Sequence, residues 1–195
     1  MFLGTNRYGL LDEITEILFC CGGGYSLTIL GFFYSADIMK IYGSDVDENM
    51  LEHAKKNLAL LQDEGLMKRE QELSELYETY HKESHKDALS SIDVLRKQLV
   101  KPVSYEVFQA DCTKPLPRVN ADIIITDIPY GNLVDWNDGE SDSLELMLAQ
   151  LAKTSDKEMV LALSMDKKQK VNSKTWDVLE KHNIGKRKFM IMKNK

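Results

Sequence analysis

The sequence predicts an α/β protein built on a Rossmann-like, doubly wound and mostly parallel sheet. Three observations carry that prediction. Short apolar runs recur along the chain with helical patterns between them, several runs end in an acid or a glycine turn, and one of them, Ile123-Ile124-Ile125, stops at Thr126-Asp127-Ile128-Pro129-Tyr130-Gly131. Apolar runs of this length bounded by turn formers read as strands buried on both faces, the habit of parallel sheets. Strands alternating with helices then wind the sheet from both sides.

In chain order, residues 13–21 form the first expected strand, followed by Gly22, Gly23 and Gly24 and an apolar helical stretch at 26–33. Glycines in such a turn let a ligand approach the backbone and expose amide groups at a helix N-terminus. The second strand is expected at 38–47. Its Asp45 lies 21 residues after Gly24, a spacing at which an acid can hold the ribose hydroxyls of an adenosine-containing cofactor. Asp47 and Glu48 then open a helix expected over 50–61, their charge suited to its dipole.

Residues 62–100 are dense in Glu and Lys, without proline. Leu73, Leu76, Tyr77 and Tyr80, and again Ala88, Ile92, Leu95 and Leu99, recur at helical spacing. The stretch predicts a helical pair inserted between strands two and three, at about 62–101, within a single domain spanning 1–195. His81 and His85 are four apart, but no third ligand accompanies them, so they read as solvated and no metal is expected.

The third strand is expected at 105–112 and carries Asp111 and Cys112 at its end. After the central run come Trp136 in a polar loop, a helix near 144–153 and a fifth strand at 159–164. A short helix is expected at 175–181 and a sixth strand at 187–192.

The acid-proline-aromatic turn has a chemical use. The Asp127 carboxylate and nearby carbonyls can accept hydrogen bonds from a base's amino group, Pro129 stiffens the turn, and Tyr130 offers a ring for stacking. Right-handed crossovers put the glycine turn, Asp45, Asp111 and Asp127 along one edge of the sheet.

Composition bounds the alternatives. The chain carries no apolar run near the roughly 20 residues of a membrane span, and no signal-peptide pattern opens it. Its cysteines (Cys20, Cys21 and Cys112) fit neither a disulfide framework nor a zinc site, which suits the cytoplasm. The net charge of −6 is unevenly spread: residues 160–195 hold ten Lys/Arg and three Asp/Glu, a net of +7, leaving −13 elsewhere. A basic end on an acidic body can still meet a polyanion with one face. Its candidate contacts are Lys167, Lys168, Lys170, Lys174, Lys186, Arg187 and Lys188.

Taken together, the glycine turn, Asp45, Asp111 and the Asp127–Tyr130 turn resemble the class I S-adenosylmethionine-dependent methyltransferases. A closer resemblance rests on Cys20-Cys21-Gly22-Gly23-Gly24-Tyr25, Gly43-Ser44-Asp45-Val46-Asp47, the helical insert, and Thr126-Asp127-Ile128-Pro129-Tyr130-Gly131 followed by Trp136. With the ending at 165–192, these look like the avilamycin-resistance 23S ribosomal RNA methyltransferases. The resemblance implies methylation of a guanine of ribosomal RNA, at N1, with S-adenosylmethionine as cofactor; the chain is expected to act as a monomer, without metal or membrane. It further implies that Cys21, Gly22 and Gly24 pass the cofactor's methionine end, Asp45 takes the ribose, Val46 packs on adenine, and Asp111 and the Cys112 amide meet the adenine edge. By the same resemblance the turn with Asp127, Pro129 and Tyr130 holds the target base, with Tyr130 or Trp136 stacking on it; the basic end is expected to meet RNA through Lys167, Lys168 and Lys170.

This chain departs from that pattern at Leu18-Phe19, where the family has Asp-Pro before the cysteine pair, and in the 17 residues ahead of Leu18, fewer than in the family. A second reading follows: a methyltransferase-fold module that binds RNA or cofactor without turnover. A nicotinamide-dependent oxidoreductase fits less well, because Gly-x-Gly-x-x-Gly is absent and hydride transfer has no use for Asp-x-Pro-Tyr. A methyltransferase of proteins or small molecules stays open, since fold alone does not choose the substrate.

Overall fold

The computed structural model describes residues 16–20, 24–128, 143–156 and 158–195. Seven strands form one sheet in the order β3-β2-β1-β4-β5-β7-β6. The strands are β1 (Glu16–Cys20), β2 (Lys40–Asp45), β3 (Ser104–Gln109), β4 (Ile123–Asp127), β5 (Val160–Asp166), β6 (Trp176–Ile184) and β7 (Arg187–Asn194). The helices are α1 (Tyr25–Phe33), α2 (Glu48–Ala59), α3 (Asp63–Tyr80), α4 (Glu83–Gln98) and α5 (Ser143–Leu151). Strands β1 to β5 run parallel, and β7 lies antiparallel between β5 and β6. The mostly parallel, doubly wound prediction holds.

Alternation along each strand divides the core between the two faces. Ile17, Ile41 and Ile123 join a buried cluster with Leu27 of α1, Leu58 of α2, Leu66 and Leu73 of α3 and Ile92 of α4. Their neighbours Leu18, Tyr42 and Ile124 join the opposite cluster, with Met147, Leu148 and Leu151 of α5. Successive residues of a strand point to opposite faces, so an unbroken apolar run feeds both layers. This also accounts for Leu18. It is 1% exposed and lies mid-strand, paired with Tyr42 and Ile124. Leucine here fills the core, where an unpaired carboxylate would be costly.

Two local readings change. The stretch expected as a short helix at 175–181 belongs to the nine-residue strand β6, which closes a hairpin onto β7. Its apolar residues Trp176, Val178 and Leu179 fit neither period well, and pairing with β7 decides. The hairpin turns through Gly185 and Lys186, with Ile184 opposite Arg187 and φ of +60° at Gly185. A glycine first in a two-residue loop is the requirement of a type II′ turn. The sixth expected strand is therefore the seventh. His81 and His85 also part company: His81 ends α3 in the left-handed region and His85 sits in α4, so their spacing describes no common helix face.

At the edge where the parallel strands begin, Asp122 is 6% exposed and ties three strands together. Its carboxylate accepts from the Glu16 amide at 2.9 Å, its own amide donates to Glu16, and its carbonyl accepts from Val160. Among the described residues, no helix is long and apolar enough to cross a membrane.

Candidate active site

The edge where the parallel strands end collects the polar groups. Register places Cys20 beside both Ser44 and Thr126, Asp45 beside Gln109, and Asp127 beside Ser164. The ends of β3, β2, β1, β4 and β5 thus form one row. Chain direction reverses its spread between β1 and β4, which makes this the switch point where open α/β sheets bind ligands. Asp45 and Asp127 flank the end of β1 from either side, two strand spacings or about 10 Å apart.

Gly24 opens α1 with φ 72° and ψ −1°. Its carbonyl accepts from the amide and the hydroxyl of Thr28, both at 2.9 Å. A Cβ added here would stand 2.9 Å from the Ala54 Cα of α2. Only glycine meets both the left-handed conformation and this approach. The expected contacts Cys21 and Gly22 lie outside the described residues.

Asp45 ends β2. Its Oδ1 accepts from the Asp47 amide at 3.0 Å, and Asp47 in turn caps α2 through the Asn49 amide at 2.8 Å. Beside it Val46 is 59% exposed, an apolar surface held in place because its carbonyl accepts from the Gln109 side chain. Strand β3 stops at Gln109, so Asp111 lies in the following turn. Its Oδ1 accepts from the Thr113 hydroxyl at 2.6 Å and amide at 2.9 Å, while Lys114 stands 3.1 Å from Oδ2. The Thr113 hydroxyl, ahead of its amide and Lys114, holds this carboxyl below the ordinary aspartate value, against the opposing effect of burial. Cys112 is buried in the core.

Asp127 ends β4 and faces outward, while Thr126 and Ile128 on either side are buried. The Ile128 amide donates to the Ser164 carbonyl at 2.8 Å, anchoring the chain as it leaves the strand. The guanidinium of Arg187 pairs with Asp127 Oδ1 and also donates to the Ser164 hydroxyl. Pro129, Tyr130 and Trp136 lie outside the described residues.

The basic candidates separate once the strands are paired. Asp166 at the end of β5 pairs with Arg187, and the Lys167 amide donates to the Lys186 carbonyl. Exposed Lys167, Lys168, Lys170 and Lys186 therefore crowd the same edge as Asp127. Three others do not serve as expected. Lys188 is 6% exposed and donates to the Gln169 carbonyl, and burial pushes its ammonium below the ordinary lysine value. Arg187 turns inward to Asp127. Lys174 precedes Trp176, which pairs with Asn194 beside Met159 at the opposite end of the sheet.

Sequence reasoning missed Ser164 and the pairing of Arg187 with Asp127. Both arise from contacts between distant strands, and a serine within an apolar run is a weak sign.

Three comparisons with known proteins agree with this geometry. Residues 13–187 match the family model described as the rRNA methyltransferase AviRa. The chain is 32% identical over 185 residues to the 23S rRNA (guanine(2535)-N(1))-methyltransferase of Streptomyces viridochromogenes, covering 89% of this chain and 73% of that protein. Among solved structures, the rRNA methyltransferase aviRa of that organism superposes with a TM-score of 0.81 at 30% identity, over 97% of this chain and 81% of the other. A SAM dependent methyltransferase from Aquifex aeolicus superposes with a TM-score of 0.53 over 100% of this chain and 89% of its own. At 16% identity, that last likeness shows the fold alone.

Proposed function

The chain belongs to the AviRa family of rRNA methyltransferases, and from that premise we propose that it methylates N1 of a guanine in 23S ribosomal RNA, using S-adenosylmethionine. The observation that carries the reading is the single row of strand ends in which Asp45 and Asp127 flank β1. A cofactor held on one side and a base held on the other meet over the end of that strand.

The residues fit the cofactor. Gly24 seats the turn against Ala54 of α2, and the amides that open α1 suit the carboxylate of the cofactor's methionine end. Cys21 and Gly22 precede Gly24 in the sequence and are proposed to pass the same end of the cofactor. Asp45 is the acceptor for the ribose hydroxyls, and exposed Val46 gives the adenine an apolar face. Asp111 has two roles in this reading. It organises its own turn through Thr113, and its remaining acceptor capacity serves the adenine amino group beside the Cys112 amide. When bound, S-adenosylmethionine would supply an electrophilic methyl on a sulfonium sulfur, with the neutral thioether as leaving group and the N1 proton given up in exchange.

The chain's own contribution is alignment. A guanine taken out of its stack presents N1–H and its amino group as donors. Asp127, an acceptor at the end of β4, takes one of them and relieves N1 of its proton as the new bond forms. Pro129 restricts the turn by its chemistry, and Tyr130 or Trp136 supplies an aromatic face for the base. Lys167, Lys168 and Lys170 meet RNA phosphates. We place this activity in the cytoplasm, in a single-domain monomer, with ribosomal RNA as partner and no metal or membrane required.

The test is transfer of a labelled methyl to ribosomal RNA, with mapping of the modified atom. Asp127→Ala lowers the transfer rate by about 100-fold or more and leaves cofactor affinity nearly unchanged. Asp45→Ala weakens cofactor binding by at least about tenfold. Transfer by Asp127→Ala at the parent rate would remove Asp127 from the chemistry. Cofactor binding without any transfer would favour the binding-module reading.

A further inference from the structure

We propose that Arg187 is a positioning residue for methyl transfer, clamping Asp127 through Ser164 so that one carboxylate oxygen is presented to the target base. The proposal rests on the reading that Asp127 receives that base. Strand β7 begins at Arg187, immediately after the Gly185-Lys186 turn, and pairs antiparallel with β5. Arg187 sits opposite Asp166, two residues from Ser164, and Ser164 sits beside Asp127. Its side chain therefore reaches across β5 to the end of β4.

Three contacts define the arrangement. Nε donates to the Ser164 hydroxyl at 3.1 Å, Nη2 donates to the same oxygen at 2.5 Å, and Nη2 also pairs with Asp127 Oδ1. The guanidinium is planar and its donors are fixed in a fork, so two bonds to Ser164 set its orientation before it meets Asp127. The arginine side chain is 22% exposed and the aspartate 52%. The cation is thus the more enclosed partner, and its donors are turned toward the sheet. A phosphate contact would have the opposite character, with the cation outermost like Lys167 and Lys168.

This geometry answers a problem of the site. An aspartate at the end of a strand and half in water has several accessible rotamers, and alignment with a base needs one. Occupying Oδ1 with Arg187 leaves Oδ2 as the oxygen turned to the substrate. Lysine cannot replace the clamp, because one ammonium lacks the fork that spans Ser164 and Asp127 together.

The experiment compares the parent chain with Arg187→Gln, Arg187→Lys and Ser164→Ala. Each is assayed for kcat and KM with ribosomal RNA, RNA affinity at several salt concentrations, cofactor affinity and thermal unfolding. Arg187→Gln is expected to lower kcat by about 10- to 100-fold, the scale of a small misplacement at a reacting centre. Its KM for RNA, salt slope and cofactor affinity stay within about twofold of the parent. Arg187→Lys recovers only part of the loss, and Ser164→Ala loses about three- to tenfold in kcat. In an Asp127→Asn background, Arg187→Gln causes little further loss, as a residue acting through Asp127 requires.

An unchanged kcat in Arg187→Gln overturns the proposal. So does a raised KM with a salt slope shallower by about one, which would make Arg187 a phosphate contact. If Arg187→Gln fails to fold, Ser164→Ala decides, and a parental kcat in that variant refutes the clamp. A parent chain that transfers no methyl to ribosomal RNA brings down the functional reading, and the positioning role falls with it. A methylating parent matched by Arg187→Gln sinks the clamp alone.

Discussion

Replacing Gly24 by alanine separates two demands that the glycine turn places on its last residue. The first is conformational. With φ at +72° the residue is left-handed, which costs an L side chain about 1–2 kcal/mol. The second is spatial. The new Cβ would lie 2.9 Å from the Ala54 Cα and 3.2 Å from the Ala54 Cβ and carbonyl oxygen. Ala54 is 2% exposed and its Cα belongs to the backbone of α2, so no rotamer change relieves the contact. Helix α1 or α2 must shift, an overpacking term of about 1–3 kcal/mol. Gly185→Ala supplies the control. It shares the positive φ, at +60°, but nothing lies within 4 Å of its added Cβ. In urea unfolding the control is expected to lose about 1–2 kcal/mol and Gly24→Ala about 2–5 kcal/mol. Gly24→Ala should also weaken cofactor binding by calorimetry, whereas Gly185→Ala should not. Equal destabilisation of the two variants would refute the close approach of α2 to the turn.

The remaining predictions concern the opposite edge, the basic face and acid stability. Asp122→Ala leaves the part-buried Glu16 amide without this acceptor and should cost about 1–3 kcal/mol in urea unfolding; Asp122→Asn, which keeps an acceptor, should recover most of it, and equal losses would count against the bond. Lys167→Glu combined with Lys168→Glu should weaken RNA binding and make its dependence on salt shallower by about two in slope; an unaltered slope would move the RNA elsewhere. The Asp111 carboxyl, lowered chiefly by the Thr113 hydroxyl, contributes stability that is present above the unfolded aspartate value of about 3.9 and is lost as pH falls through its lower folded value. Thr113→Val should therefore be less stable than the parent near pH 6, with the gap narrowing toward pH 3. A gap independent of pH would mean that the hydroxyl acts through packing.

Much of this molecule is determined locally and was legible in the sequence. The runs at Ile41, Ile123 and Leu161 can be buried on both faces only in a parallel sheet between helices, and Asp47 caps α2 through an amide two residues away. Right-handed crossovers then put Asp45 and Asp127 at one edge without knowledge of any contact. Local pattern was weaker at the end of the chain. Residues 176–184 have no clear period, although Gly185 beside Lys186 was a turn signal that the apparent helix obscured.

Tertiary structure decided what depends on partners far along the chain. Whether a lysine is a surface charge or a buried one follows from strand pairing: Lys188 alternates inward with buried Met190 and Met192, between half-buried Arg187 and Phe189, and its ammonium finds the Gln169 carbonyl. Leu18 is a departure from the family in one dimension and a core residue in three, since β2 and β4 enclose it from both sides. Arg187 reads as one more basic residue until β7 folds back along β5. Sixty positions then separate Asp127 from Arg187 in sequence but a single ion pair joins them in space. A carboxylate's type is written in the chain; the partner that orients it is set by which strands lie side by side.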